Sequence, residues 1–140
     1  MTRRSDRELT DSRSPDAEEL GARVNVANRA GAILFISIHS NAYEKDPGVS
    51  GVMSFHNGGA DDARLARSLL DGVGTATGLE RVGLERASFF VLRNSDMPSA
   101  LVEIGFMTNA RDEAKLASPE FRMEAARGLL VGIVEYLGAR

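Results

Sequence analysis

The run Ile33-Leu34-Phe35-Ile36-Ser37-Ile38 most constrains what this chain can fold into. Five of the six residues are apolar and three are isoleucine, so neither face of a strand built from them is polar. Such a run reads as a strand covered on both sides, as in a parallel α/β sheet rather than a half-wet antiparallel one. Parallel strands need long crossovers, usually helices. The flanking sequence supplies them. Leu20, Val24 and Ala27 fall at i, i+4 and i+7 on a helix starting near Asp16 and ending near Gly31. Leu65, Leu69 and Val73 mark a second helix, with Asp61 or Asp62 as its cap, and Gly72, Gly74 and Gly78 are expected to loosen the chain after it. Ser118 and Pro119 open a third helix carrying Phe121, Ala125, Leu129, Ile133 and Tyr136 or Leu137, with Gly138 as its C-cap. Further strands are expected at 51–55 (GVMSF), 88–92 (SFFVL) and 100–106 (ALVEIGF), with a loop over 93–99. Strands alternating with helices give an α/β layer fold.

At 140 residues this is one domain's worth of chain. The longest apolar stretch, residues 30–38, falls far short of the roughly 20 residues that cross a membrane. A net charge of −3 gives no general attraction to nucleic acid or an anionic membrane, so neither is expected as a partner. With no cysteine, disulfides, thiolate catalysis and cysteine-ligated zinc are excluded. Tryptophan is absent and aromatics are 6%, which argues against a stacking platform for bases or sugars. Residues 1–19 hold ten charged and three apolar residues, so 1–16 is expected to be a loop or a poorly ordered arm. That opening has no apolar core of a secretory signal.

Open α/β sheets place ligands beyond the carboxyl ends of their strands. His39 stands directly after the apolar run, where an imidazole can serve as metal ligand or acid–base group, or simply bond to backbone at the edge of the core. Glu103 lies inside ALVEIGF. A carboxylate is costly there, so either its pKa rises toward that of a neutral-pH base or an arginine such as Arg93 pairs with it. His56, the only other histidine, sits in an HNGG turn and reads as a turn residue. Any metal site must use these two histidines, carboxylates, or both. Gly58-Gly59 has neither the spacing nor the Lys-Ser/Thr of a phosphate loop.

These residues resemble the zinc-dependent N-acetylmuramoyl-L-alanine amidases of the amidase-3 type. The likeness lies in Thr2-Arg3-Arg4-Ser5-Asp6, in Arg23 with Ala27-Asn28, and in Phe35-Ile36-Ser37-Ile38-His39-Ser40-Asn41-Ala42. It continues through Val91-Leu92-Arg93, Pro98, and Leu101-Val102-Glu103-Ile104-Gly105-Phe106-Met107-Thr108-Asn109. The resemblance runs over nearly the whole chain and implies a catalytic domain spanning 1–140. It implies a mixed, mostly parallel twisted sheet flanked by helices. It also implies His39 as a zinc ligand and Glu103 as the base that takes a proton from a zinc-bound water. The substrate would be peptidoglycan or a muropeptide, cut between N-acetylmuramic acid and L-alanine. The setting would be extracellular, periplasmic or cell-wall.

One departure from the family pattern stands out. Its Asp-Pro-Gly-His-Gly-Gly motif, which brings another zinc-binding histidine, has no counterpart here, because Asp46-Pro47-Gly48 is followed by Val49. The resemblance therefore implies that the family's first strand–helix unit is missing and that the zinc site is incomplete, since catalytic zinc keeps three protein ligands. The chain alone is expected to bind zinc weakly and to be inactive, and upstream residues bearing a histidine and a glutamate are expected to restore both. The alternative is a non-catalytic cell-wall or partner-binding module derived from the same fold. A retained, costly Glu103 favours the enzyme.

Overall fold

A computed structural model of the protein describes Met1 and residues 16–139. The expectation for the charged opening and the Thr2–Asp6 motif lie outside those residues, apart from Asp16, which begins the first helix. The elements follow in the order α1 (Asp16–Arg29), β1 (Phe35–Asn41), β2 (Val52–His56), α2 (Ala60–Thr77), β3 (Arg81–Arg86), α3 (Phe90–Arg93), β4 (Ser99–Phe106), α4 (Ala110–Ala117) and α5 (Pro119–Gly138).

The four strands form one sheet in the order β1-β4-β2-β3. β1 runs parallel to β4 and β2 parallel to β3, while β2 meets β4 antiparallel. The sheet is mixed with parallel pairs in the majority, as the resemblance implied. Helices cover both faces. On one, Phe35 and Leu101 pack with Val24 and Ala27 of α1 and with Val91 and Leu92 of α3. On the other, Val52 and Val102 pack with Leu70 and Val73 of α2 and Phe121 of α5. Ala100 meets Leu65, Leu69 and Tyr136 on that same side.

β4, not β1, is the strand covered on both faces. Ser99, Ala100 and Val102 have no exposed surface. Among the described residues β1 pairs only with β4, and Ile38 is 53% exposed. An apolar run shows that both faces of a strand shun water. It does not say which neighbours cover them.

Other expectations are corrected by tertiary context. SFFVL is not a strand: Phe90–Arg93 turns into α3, and Phe89 sets its ring edge-on to Phe55 at 5.3 Å. The strand is instead Arg81–Arg86, whose polar sequence suits an exposed edge, where charge blunts further pairing. Neither Asp61 nor Asp62 caps α2, because Gly59 holds the N-cap. Asp62 instead accepts the Ser99 N–H at 2.9 Å and so anchors the start of β4. Gly72 and Gly74 lie within α2, and Gly78 is its left-handed cap. Ser118 caps α5 as expected, accepting the Phe121 N–H at 3.3 Å. The C-cap there is Ala139, one residue beyond Gly138.

Gly72, Gly128 and Gly132 let α2 and α5 meet backbone to backbone. A Cβ on Gly128 would stand 2.6 Å from the Gly72 carbonyl oxygen, and one on Gly132 would stand 2.5 Å from that of Ser68. Of the three glycines expected to loosen the chain, Gly72 is instead where the two helices touch.

Candidate active site

The parallel register of β1 and β4 sets His39 directly opposite Glu103. Neighbours in register point to the same face of a pleated sheet, here the side covered by α1 and α3. The two residues line a cleft of about 550 Å³. Leu20 and Arg23 of α1 form one wall, and Phe89 and Phe90 another. Sequence reasoning found His39 and Glu103 separately, and the sheet brings them together.

Glu103 Oε2 is buried and has no hydrogen-bond partner among the described residues. Burial pushes the Glu103 pKa from the ordinary 4.5 to about 7. Arg93 does not pair with it: its guanidinium donates to the Ser88 carbonyl oxygen at 3.4 Å and to Ser88 Oγ at 3.1 Å. The ion-pair alternative fails because α3 turns Arg93 back onto its own loop. A desolvated carboxyl near neutrality can both take and return a proton.

His39 Nε2 and Ser37 Oγ lie 2.9 Å apart in a hydrogen bond whose donor depends on the imidazole tautomer. The link is to a side chain rather than to backbone. Burial, followed by the positive charge of Arg23, lowers the His39 pKa. A neutral imidazole is the form that binds metals.

The remaining motif residues build the frame of the site. The register of β1 shifts just after His39. Beyond it, the Met107 N–H donates to the Asn41 carbonyl oxygen at 2.7 Å and the Tyr43 N–H donates to Thr108 Oγ1 at 3.0 Å. Asn109 caps α4 and reaches the Pro47 carbonyl oxygen at 2.9 Å. On α1, Asn28 donates to the Asn94 carbonyl oxygen at 3.1 Å and accepts the Asp96 N–H at 3.2 Å, fixing the loop that leads into β4. Asp112 escaped the sequence reading. It is 1% exposed and accepts from Ser50 Oγ, the Gly51 N–H and the Phe106 N–H. Its signal was present in Asn109-x-x-Asp112, the spacing of a capping box. His56 is not in the turn but closes β2, paired with Arg86, and its Nδ1 accepts the Gly58 N–H of the turn that follows at 3.1 Å. Because β2 runs against β4, the end of β2 that carries His56 lies at the other end of the sheet from His39.

Among the described residues no group of three or more His, Cys, Asp or Glu gathers to hold a metal ion. The cleft offers one imidazole and one unpartnered carboxylate. A catalytic zinc takes three protein ligands, so these residues alone do not make up its coordination shell.

The model of the family described as Amidase_3, N-acetylmuramoyl-L-alanine amidase, matches residues 1–135. The N-acetylmuramoyl-L-alanine amidase LytC of Bacillus subtilis is 36% identical over 129 residues, covering 89% of this chain and 26% of that protein. The germination-specific N-acetylmuramoyl-L-alanine amidase of the same organism is 30% identical over 143 residues, covering 97% of this chain and 60% of that protein. The chain thus spans at most 60% of these two curated relatives. The catalytic domain of CwlV, an N-acetylmuramoyl-L-alanine amidase from Bacillus (Paenibacillus) polymyxa var. colistinus, superposes with a TM-score of 0.79 at 32% identity, over 86% of this chain and 66% of that one. With the family model matching almost the whole of this chain and the sheet shared with a solved catalytic domain, the chain belongs to the N-acetylmuramoyl-L-alanine amidase family.

Proposed function

We propose that this chain carries the proton-transfer carboxyl of a peptidoglycan amidase, which cleaves the amide between the lactyl group of N-acetylmuramic acid and L-alanine. The observation that carries the reading is Glu103, a carboxyl raised to about 7, with a buried oxygen that meets no hydrogen-bond partner among the described residues, set opposite His39 in a cleft. Glu103 takes a proton from the attacking water as its oxygen bonds to the carbonyl carbon. The carbon–nitrogen bond then breaks, and Glu103 returns the proton to the departing L-alanine amine. Half-burial in the cleft keeps the carboxyl basic enough for this exchange.

His39 is proposed as one ligand of a zinc ion. Ser37 orients its ring, and the neutral imidazole needs no deprotonation. Because the described residues supply one imidazole where three ligands are needed, the chain by itself is proposed to bind zinc weakly and to be inactive in its absence. By this reading it acts on the cell wall, outside the cytoplasmic membrane. No helix among the described residues is long and apolar enough to cross a membrane.

The lack of a three-donor cluster favours a second reading, a non-catalytic module that binds peptidoglycan or a partner. Cleavage decides between them. The chain is incubated with a muropeptide over a wide range of zinc, and new free L-alanine amines are followed by mass spectrometry. Hydrolysis that grows with excess zinc and disappears in Glu103→Gln is expected. A muropeptide that binds but is cut at no zinc concentration would establish the binding module.

A further inference from the structure

Among the described residues lining the cleft Arg23 is the one permanent cation, and its neighbours there are apolar except for Ser37, His39 and Glu103. Its Nε donates to Glu19 Oε1 at 2.9 Å, one turn back on α1. The Glu19 side chain is 9% exposed, so this contact fixes the plane of the guanidinium. Glu19 also has a further contact and does not serve Arg23 alone. The two terminal nitrogens of Arg23 meet no acceptor among the described residues, while its side chain is 29% exposed. Arg23 therefore presents a fixed, half-open fork to the cleft. A planar pair of N–H donors suits a carboxylate, which accepts two parallel bonds. The cleft already holds the carboxyl of Glu103, and an acidic ligand entering apolar walls beside it needs a cation of its own.

We propose that Arg23 is where the cleft holds a carboxylate of its ligand, so that a stem-peptide fragment is selected in its acidic form over its amidated form. The inference rests on the muropeptide reading and deepens it. It makes Arg23 a binding residue that touches ligand away from the bond being cut.

The test is a binding titration of the intact chain followed by amide NMR. The probes, each with the γ-carboxyl capped as its methylamide, are N-acetylmuramoyl-L-alanyl-D-glutamate with its α-carboxyl free, the same compound with that carboxyl amidated, and the sugar-free N-acetyl-L-alanyl-D-glutamate. The free acid is expected to bind roughly tenfold tighter or more, the effect of one charge-assisted contact. Arg23→Gln is expected to abolish that preference while leaving the affinity for the amide unchanged. Arg23→Lys is expected to retain part of it, since charge survives without the fork. Unchanged α1 resonances show that the variants fold, and the wild-type comparison is decisive even if a variant does not.

Equal affinity of the wild type for acid and amide, or a preference that survives Arg23→Gln, overturns the assignment and leaves the muropeptide reading standing. Failure of both muropeptides, with Arg23-dependent binding of N-acetyl-L-alanyl-D-glutamate, overturns the muropeptide reading and leaves the carboxylate site. No binding of any of the three overturns both.

Discussion

At the scale of single residues, Glu103 shows how a strand makes a base. The residue is backbone-paired within β4, so it cannot swing to solvent as a surface glutamate would, and its carboxyl stays where charge is disfavoured. The cost appears as a pH dependence of stability. A carboxyl whose folded pKa is about 7 against an ordinary 4.5 holds its proton longer in the native state than in the unfolded one. The unfolded chain binds fewer protons between those values, so stability falls as pH rises from about 4.5 through about 7. Glu103→Gln removes the ionisation. Chemical denaturation is expected to show equal stability for variant and wild type at pH 4. At pH 8 the variant is expected to be more stable by about 1 kcal/mol, a modest figure because the group is half exposed to screening solvent. A variant that is less stable at pH 8 would mean that the carboxylate has a partner. The sequence made this residue legible because an acid inside ALVEIGF breaks an otherwise apolar pattern. It said less of Arg23, since an arginine on an exposed helical turn looks the same whether or not a cleft lies beside it.

At the scale of elements, the contact between α2 and α5 depends on having no side chains at its crossing. A Cβ on Gly128 would also stand 2.7 Å from Val73 Cα, and a main-chain atom cannot step aside as a side-chain tip can. Gly128→Ala is expected to lower unfolding free energy by about 1–3 kcal/mol in urea titrations, by overpacking. Gly138→Ala is the control. Nothing lies within 4 Å of a Cβ there, so the gain in helix propensity is expected to raise stability by a few tenths of a kcal/mol. If the two substitutions gave the same result, close approach would not be the role of Gly128. Glycine is ambiguous in sequence for this reason: it marks a break when nothing is near and a contact when a helix is. The same limit explains SFFVL and Arg81–Arg86. Local pattern favoured the apolar segment as a strand, whereas the sheet took the polar one, because an edge needs little burial and α3 needed apolar side chains to reach the core.

At the scale of the whole molecule, the sheet ends on β1 with its outer backbone groups free of strand partners among the described residues. Ile38 within that strand is 53% exposed, and Ile33, two residues before the strand begins, is 63% exposed. An exposed apolar edge is a template for pairing with other chains. Ile38→Lys is therefore expected to raise the concentration at which the protein associates in light scattering, with its far-ultraviolet circular dichroism unchanged. Association that proceeds equally in the variant would place it elsewhere on the surface. The other edge, β3, carries Arg81, Glu85 and Arg86 and needs no such remedy.

What the sequence determined by itself was local and periodic. The α/β class, α1, the strands carrying His39 and Glu103, and the Ser118 cap all follow from apolar spacing and from residues whose own chemistry sets backbone geometry. The tertiary structure alone decided strand order, which strand became the edge, that Arg93 turns away from Glu103, and that Asp112 ties Gly51 to Phe106. The physical reason is the same in each case. Periodicity reports which faces of an element avoid water, whereas a site depends on which elements lie side by side. His39 and Glu103 are 64 positions apart in the chain and become a pair only through the register of two parallel strands.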